Sequence, residues 1–400
     1  MGDKDKKGVK GFLFSAVSCG LKRKEGELDL GLIFSEFPAS VAGVFTRNLV
    51  AAAPVLIDRE RLPRGVCRAV LANAGCANAC TGPQGYEDGL ECARWAAMEL
   101  GLKQEEIMLA STGVIGTRLP LERIRKSIPS LVRGLGPWRL EDLARAIMTT
   151  DTRPKWTLRH KTLEGREVSI GAVVKGAGMI HPQMATMLCF VVTDVAASPV
   201  FLQECLESSL ERSFHAITVD GDTSTNDTVL VLANGASGGN PLREGSPSGE
   251  EFRGLLGEVL EDMALEVVRD AEGATKLVHL RVEGAPDNSS AWKVARAIAH
   301  SPLVKTAFYG EDVNWGRIAA AVGYSGVPLE LDRLDLWYGP VQVLKAGRPA
   351  GEISENLAKD VVRQREFSIR VCIGSGSGEA VLHTCDLSHE YVSINGSYRT

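Results

Sequence analysis

A threonine stands at the boundary between an irregular segment and an apolar strand. The segment Lys175–Leu188 contains two glycines and a proline before Thr186, and these residues predict backbone that can hold a strained peptide bond against a side-chain hydroxyl. Residues 187–194 are β-branched or apolar for the most part and predict a buried strand. If the Thr186 hydroxyl attacks the preceding peptide bond, cleavage leaves one residue with both a hydroxyl and an α-amine. That amine, with a reference pKa of about 7.7 to 8.0, is a built-in base for a nucleophilic threonine.

A second segment has the composition needed to stabilise negative charge on oxygen. Ser111–Gly116 combines two glycines with two hydroxyls directly after the apolar residues 107–110. Such a segment can direct a backbone N–H and a hydroxyl at a developing oxyanion, which acyl transfer requires. Taken alone, the same pattern is more often an ordinary turn.

The segment Thr218–Thr228 is dense in aspartate, serine and threonine. Calcium binding is the first interpretation to test. Counted from Asp220, the sixth position is Thr225 and the twelfth is Val231, where an EF-hand requires glycine and glutamate. The pattern instead predicts a hydrogen-bonding loop, because these side chains bond neighbouring backbone groups. A structural loop and a substrate-contacting loop remain equal alternatives.

Three further segments carry weaker signals. Glu272 lies between a predicted helix and a predicted strand, where a polar pocket can open, but Gly273 beside it is equally typical of a helix end. The segment Glu311–Arg317 places a tryptophan among polar residues, a mixture typical of functional loops. Residues 393–400 mix apolar and polar types, which favours a docked end over a frayed one.

The composition excludes several classes of function. A hydrophobic fraction of 44% and a formal net charge of −5 describe a globular chain without the basic field that attracts nucleic acid or anionic lipid. No apolar run approaches the roughly 20 residues of a membrane span, and the charged start does not resemble a signal peptide. The nine scattered cysteines predict reduced thiols rather than a metal site. We therefore expect a cytoplasmic location, with no nucleic-acid or membrane partner, no metal and no cofactor.

Strand and helix patterns alternate along the whole chain, which predicts an α/β fold. Helices are predicted at 86–102, 141–148, 201–214 and 251–268. Besides 187–194, strands are predicted at 29–36, 40–48, 68–73, 168–174, 228–233, 276–282 and 367–373. Residues 235–249 predict an exposed loop, and the glycine-serine run 374–378 predicts a hairpin connection.

Lys175-Gly-x-Gly-Met followed by Pro182-x-Met-Ala-Thr-Met187 resembles the ornithine acetyltransferase family, the glutamate N-acetyltransferases of the cyclic arginine pathway. Further segments similar to that family follow its order over nearly the whole chain. They are 42–45, 78–82, 111–116, 149–152, 220–227, 272–276, 314–317 and 395–400.

The resemblance implies a layered α-β-β-α sandwich of the N-terminal-nucleophile-like, self-cleaving type. It implies cleavage between Ala185 and Thr186 into fragments 1–185 and 186–400. These fragments are expected to stay associated as a heterotetramer with two copies of each.

The resemblance also implies the site residues. Thr186 is expected to carry the acetyl group as nucleophile, with Thr112 and Gly113 as the oxyanion hole. The implied substrate contacts are Thr152, Lys175, Thr186, Glu272, Asn395 and Thr400.

The implied reaction moves an acetyl group from N-acetylornithine to glutamate, and acetyl-CoA as an additional donor is left open. Two alternatives stay open as well. An N-terminal-nucleophile peptidase or amidohydrolase would pass the acyl group to water, and a non-enzymatic binding protein would remain one intact chain.

Overall fold

The computed structural model describes residues 8–181 and 187–397. Two β-sheets organise this part of the chain. The strands of the first sheet are β1 Phe12–Val17, β2 Leu30–Phe45, β3 Val66–Cys76, β4 Ile107–Val114, β5 Lys155–Leu163, β6 Arg166–Lys175, β7 Leu188–Thr193 and β8 Thr228–Ala233. Those of the second are β9 Leu277–Ala285, β10 Asp335–Tyr338, β11 Val341–Lys345, β12 Arg348–Pro349, β13 Glu366–Cys372 and β14 Gly378–Cys385.

The first sheet mixes strands from before and after residue 186. Its order is β4-β3-β2-β8-β7-β6-β5, with β1 paired to β2. Strands β7 and β8 therefore lie in its middle, between β2 and β6. The antiparallel register of β6 and β7 places Lys175 opposite Leu188, so the end of β6 lies beside the start of β7.

The helices pack against both sheets. They are α1 Ala53–Arg61, α2 Gly82–Leu100, α3 Leu121–Arg133, α4 Leu140–Ile147, α5 Pro199–Leu210, α6 Pro247–Arg269, α7 Asn288–Ala299, α8 Pro302–Tyr309, α9 Trp315–Gly323, α10 Glu352–Val362 and α11 His389–Ser397. Four of the described helices have an N-cap residue whose side chain accepts a hydrogen bond from a backbone N–H in the first turn. These caps are Ser198, Ser246, Asp287 and Ser301. No helix within the described ranges is long and apolar enough to cross a membrane.

The first sheet is a buried middle layer. On β7, Cys189 and Val191 belong to the core that includes α5 and α6, whereas Phe190 and Val192 belong to the core that includes α4. Successive side chains of a strand point to opposite faces of the sheet. Because both faces are packed against helices, residues 188–192 of this strand are all apolar. The second sheet forms its own core with α7 to α10.

Most predicted elements are confirmed. The predicted helices correspond to α2, α4, α5 and α6, and the strand predicted at 228–233 has the bounds of β8. The two strands predicted at 29–36 and 40–48 are one strand, β2, whose pairing with β3 shifts register between Phe34 and Ala39. The mixed α/β prediction is therefore confirmed.

The hairpin prediction for 374–378 is wrong. Strand β9 lies between β13 and β14, parallel to β13 and antiparallel to β14. The glycine-rich run therefore passes over the end of β9, where a Cβ at Gly376 would lie 2.1 Å from the carbonyl oxygen of Ala285. This close approach is the reason for glycine there.

Candidate active site

One cavity gathers segments that are far apart in the sequence. Its volume is about 230 Å³. The lining residues are Thr112, Gly113, Ile115, Thr149, Thr150, Lys175, Gly178, Met179, Asp220, Asp222, Ser224, Thr225, Asn226, Glu272, Tyr391 and Asn395. Five of the predicted site residues thus share one cavity: Thr112, Gly113, Lys175, Glu272 and Asn395. Ala185, Thr186 and Thr400 lie outside the described residues.

The end of β4 supplies the two predicted oxyanion donors. Gly113 has a φ of 123°, and a Cβ there would lie 2.4 Å from the carbonyl carbon of Gly75 on β3. Only glycine suits this backbone. The carbonyl of Ser111 and that of Ala77 both accept hydrogen bonds from the Asn226 amide, at 2.8 and 2.7 Å. The loop after α5 therefore fixes the segment that carries Thr112 and Gly113.

Lys175, the last residue of β6, is a buried cation beside Thr112. Its Nζ donates to Thr112 Oγ1 at 3.3 Å. Because the threonine oxygen accepts this bond, its own hydrogen remains available for a ligand in the cavity. Burial lowers the pKa of Lys175, while the nearby Asp151 carboxylate opposes that shift. An ammonium in this position can pair with a carboxylate of a bound amino acid.

A buried ion network supports the backbone next to Lys175. Lys155 Nζ contacts Asp151 at 2.6 Å and Asp270 at 2.5 Å, and Asp151 also accepts the backbone N–H of Gly176 at 2.8 Å. Burial alone would raise the pKa of Asp151, but the charges of Lys155 and Lys175 outweigh it and lower this pKa to about 2.

Thr152 is part of this network rather than of the cavity lining. Its hydroxyl donates to Asp270, and its backbone N–H donates to the same carboxylate at 3.1 Å. The neighbouring residues Thr149 and Thr150 line the cavity instead.

Glu272 faces the cavity from the turn after α6. Asn395 of α11 donates to its carboxylate at 2.7 Å, and the Glu272 backbone N–H donates to the Ala177 carbonyl at 2.9 Å. A Cβ at Gly178 would lie 2.4 Å from a Glu272 carboxylate oxygen, so the second glycine of the turn leaves space for this acid. The carboxylate can bind an ammonium group. The helix-end alternative for Gly273 does not hold, because α6 ends at Arg269.

The aspartate-rich loop holds the chain on both sides of residues 182–186. Asp220 accepts the backbone N–H groups of Met179 and Ile180 at 2.6 and 2.9 Å. Asp227 accepts the N–H of Met187 at 3.1 Å. Burial raises the pKa of both carboxyl groups, that of Asp227 well above its usual value. The loop thus has a structural role, and it also lines the cavity. Contact of this loop with substrate stays a prediction.

Sequence reasoning missed Tyr391, whose hydroxyl donates to Asp220 at 3.2 Å. Tyr391 lies two residues before the segment 393–400, whose mixed composition predicted a docked end. Conversely, the Trp315 loop lies away from the cavity: the indole N–H donates to Glu355 of α10 at 2.8 Å, within the helices of the second sheet. Trp315 itself is the first residue of α9.

A family model described as the ArgJ family matches residues 13–400. A protein of Geobacter sulfurreducens named arginine biosynthesis bifunctional protein ArgJ is 52% identical over 392 residues, covering 98% of this chain and 100% of its own length. The chain belongs to the ArgJ family. The family resemblance seen in the sequence is confirmed, and with it the prediction of an acetyltransferase enzyme in arginine biosynthesis.

Two solved structures of ArgJ-type proteins are similar to this ArgJ-family chain. The crystal structure of the Bacillus halodurans protein is 41% identical with a TM-score of 0.50, covering 52% of this chain and 98% of its own. The structure titled ornithine acetyltransferase complexed with ornithine, from Mycobacterium tuberculosis, is 35% identical with a TM-score of 0.39. The match covers 45% of this chain and 94% of that one. With the family established and the sheets observed directly, the predicted layered α/β fold class is confirmed.

Proposed function

We propose that this enzyme transfers the acetyl group of N-acetylornithine to glutamate through an acetyl ester on Thr186. The convergence of Thr112, Gly113, Lys175 and Glu272 in one cavity carries this proposal. The cavity also includes Met179 and Asp220, close in sequence and contact to the segment that contains the nucleophile.

The nucleophile forms by self-cleavage in this proposal. Thr186 Oγ attacks the carbonyl carbon of Ala185, the C–N bond breaks, and the acyl group moves from nitrogen to oxygen. Water then hydrolyses the ester, which leaves a carboxylate on Ala185 and a free α-amine on Thr186. The Bacillus halodurans structure supports this step. The match includes 98% of that chain but only 52% of this one, so that chain has about half the length of this protein, as a cleaved fragment would.

Acetyl transfer then proceeds in two halves. Thr186 Oγ attacks the acetyl carbonyl while its α-amine takes the hydroxyl proton, and the Thr112 hydroxyl and Gly113 N–H donate to the oxyanion. The amide C–N bond breaks and ornithine leaves with that proton on its amine. The glutamate amine next attacks the ester, the C–O bond breaks, and the proton lost from nitrogen returns to the threonine.

The charges in the cavity suit an amino acid with a cationic side chain. In this proposal Lys175 binds the carboxylate of ornithine. Glu272, whose carboxylate accepts a hydrogen bond from Asn395, binds its ammonium. Thr152 and Thr400 remain predicted substrate contacts. Assembly as a heterotetramer, a cytoplasmic location and acetyl-CoA as a second donor also belong to the proposal.

An acceptor assay tests this function against the hydrolase alternative. Purified enzyme is incubated with N-acetylornithine, with and without glutamate, and N-acetylglutamate, ornithine and acetate are quantified. We expect equal amounts of N-acetylglutamate and ornithine, and none with Thr186→Ala. Acetate release at the same rate with and without glutamate, with no N-acetylglutamate formed, would show a hydrolase instead.

A further inference from the structure

Self-cleavage needs a proton acceptor that the mature enzyme does not need. In acetyl transfer the α-amine of Thr186 takes the hydroxyl proton, but before cleavage that nitrogen belongs to a peptide bond. An amide nitrogen shares its lone pair with the carbonyl group and is not a base at neutral pH. Another group must therefore accept the proton while the hydroxyl attacks the carbonyl carbon of Ala185.

Asp227 is fixed against the residue that follows Thr186. Its Oδ1 accepts the backbone N–H of Met187 at 3.1 Å, and the carbonyl of Met187 accepts the N–H of Thr228 at 3.0 Å. The carbonyl of Asp227 in turn accepts the N–H of Thr46, next to the end of β2, at 2.9 Å. Because Thr186 is bonded to Met187, covalent connectivity keeps its hydroxyl close to the N–H that Asp227 accepts.

The other oxygen of the Asp227 carboxyl group is free to accept a hydrogen. The side chain is 0% exposed, and its Oδ2 has no hydrogen-bond partner within the described residues. The hydroxyl of Thr46, which lies nearby, donates to the Ser224 carbonyl at 2.6 Å. A buried carboxyl oxygen without a partner is costly, and the hydroxyl of Thr186 would satisfy it.

The other carboxyl groups near the cavity have different surroundings. Asp220 already accepts three backbone N–H groups and the hydroxyl of Tyr391, and Glu272 faces the cavity, where a ligand can reach it. Residues 224–226 line the cavity, whereas Asp227 is not among the lining residues. Asp227 therefore contacts the protein chain rather than a substrate, which suits a step that precedes substrate binding.

Two opposing effects act on the charge of Asp227. Burial raises the pKa of its carboxyl group well above the usual value, while the positive charge of Lys175, at the end of β6, favours the ionised form. A carboxylate with a raised pKa is a stronger base than an ordinary one, so it takes a proton from a hydroxyl more effectively.

We propose that Asp227 accepts the hydroxyl proton of Thr186 during self-cleavage and returns it to the threonine nitrogen. Oδ2 takes the proton as Oγ forms a bond to the carbonyl carbon of Ala185. The C–N bond then breaks, and Asp227 gives the proton to the leaving nitrogen, which becomes the free amine. The carboxylate is regenerated, with no net change in protons. This role rests on the self-cleavage in the proposed function.

A pulse-chase measurement of cleavage in the full-length chain tests this role. The chain is made by cell-free translation, and the loss of the uncleaved species is followed on denaturing gels from about pH 6 to about pH 9. The variants are Asp227→Asn, which keeps an oxygen for the Met187 N–H but cannot take the proton, and Asp227→Glu, which keeps a carboxyl group.

The matched control is Asp194→Asn, just beyond the other end of β7. Asp194 is also buried, accepts the backbone N–H of Ser169 at 2.8 Å and has an Oδ2 without a partner in the described ranges. Thermal unfolding of uncleaved Asp227→Asn, compared with uncleaved Thr186→Ala, measures whether the variant is folded.

We expect Asp227→Asn to cleave at least about 100-fold more slowly than the wild type, and the control to stay within about threefold, because acid–base catalysis contributes about that much. The wild-type rate should rise with pH as Asp227 ionises, and the asparagine variant should lose this rise. Asp227→Glu should cleave at least about tenfold faster than Asp227→Asn.

Two results would overturn the proposal: a wild-type rate in Asp227→Asn, or equal rates in the asparagine and glutamate variants. If Asp227→Asn does not fold, the glutamate variant decides, because a folded glutamate variant that stays uncleaved contradicts the role and one that cleaves with the wild-type pH dependence supports it. Thr186→Ala separates the two claims. Normal cleavage in that variant would refute the proposed self-cleavage itself, whereas its absence leaves only the role of Asp227 in question.

Discussion

At the scale of single residues, the contact between Lys175 and Thr112 determines what the proposed oxyanion hole can do. The lysine donates to the threonine oxygen, so the hydroxyl hydrogen is directed elsewhere and the bond polarises the hydroxyl. Thr112 is 6% exposed and fixed at the end of β4, which means little reorganisation is needed when charge develops on the substrate.

Replacing Thr112 by valine removes this donor and keeps the side-chain shape. We expect Thr112→Val to lower the rate of acetyl transfer about 10²- to 10³-fold, because the loss of one oxyanion donor costs about that much. Residual activity remains through the Gly113 N–H. Initial rates of N-acetylglutamate formation measure the effect, and Thr117→Val, at an exposed position on the same segment, is the control. A change of less than about threefold would remove Thr112 from the oxyanion hole.

The family resemblance carried by the motifs implied Thr112, Gly113, Lys175, Glu272 and Asn395 as site residues, and the structure brings all five together. The contacts of Asp220 could not be predicted in the same way. Its partners lie about 40 and 170 positions away along the chain, at Met179 and Tyr391. Such pairings depend on how the sheets pack, which local patterns do not encode.

At the scale of elements, the buried network around Lys155 joins the start of β5 to the end of α6 and to the turn after β6. Its lysine is 1% exposed and lies between two carboxylates. A buried charge that loses its partner is costly, so this cation holds the three elements together.

We expect Lys155→Met to destabilise the fold by about 3 kcal/mol or more at neutral pH, because the buried carboxylates of Asp151 and Asp270 lose the cation that pairs with them. The control Lys161→Met, on the same strand, breaks a half-exposed pair with Glu251 and should cost about 1 kcal/mol or less. Urea unfolding measures both. Equal free energies of unfolding for the two variants would contradict the account of the network.

The pH dependence of this difference follows from the lowered pKa of Asp151. A depressed folded-state pKa stabilises the fold above the unfolded value of about 3.9. That contribution is lost as the pH falls toward the folded value of about 2. The difference in free energy of unfolding between the wild type and Lys155→Met should therefore become smaller as the pH falls from about 5 to about 2.

Long, strongly patterned elements could be predicted from the sequence, and short ones could not. Strand β8 and helix α6 have uninterrupted patterns and were predicted close to their bounds. Strands β10 to β12 have two to five residues each, too few for a period to appear. The hairpin prediction for 374–378 failed because a glycine-rich connection has the same sequence pattern in two cases. The two strands that it joins can be neighbours in the sheet, or a third strand can lie between them, as β9 does here.

At the scale of the whole molecule, the first sheet contains strands from both sides of the proposed cut, which would keep the two fragments together. Strands β7 and β8 of fragment 186–400 lie between β2 and β6 of fragment 1–185. Both outer contacts, β2 with β8 and β6 with β7, are continuous hydrogen-bonded ladders. Separating the fragments requires breaking the middle of a buried sheet.

We expect the mature protein to give two fragments of about 20 and 23 kDa under denaturing conditions, sharing 42.9 kDa by length, and one species under native conditions. Intact mass spectrometry, with and without denaturant, measures this. Thr186→Ala should remain a single chain, since it lacks the attacking hydroxyl. Normal cleavage in that variant would exclude the hydroxyl from the mechanism.

The central claim is that the acetyl group resides on Thr186 between the two half-reactions, and trapping it is the most direct test. The enzyme is incubated with acetyl-labelled N-acetylornithine in the absence of glutamate, quenched rapidly and digested. The account predicts label on fragment 186–400 at Thr186, with one ornithine released per label and complete discharge when glutamate is added. No label at Thr186 after rapid quenching, together with initial-rate lines that intersect rather than run parallel, would show direct transfer in a ternary complex and contradict the account.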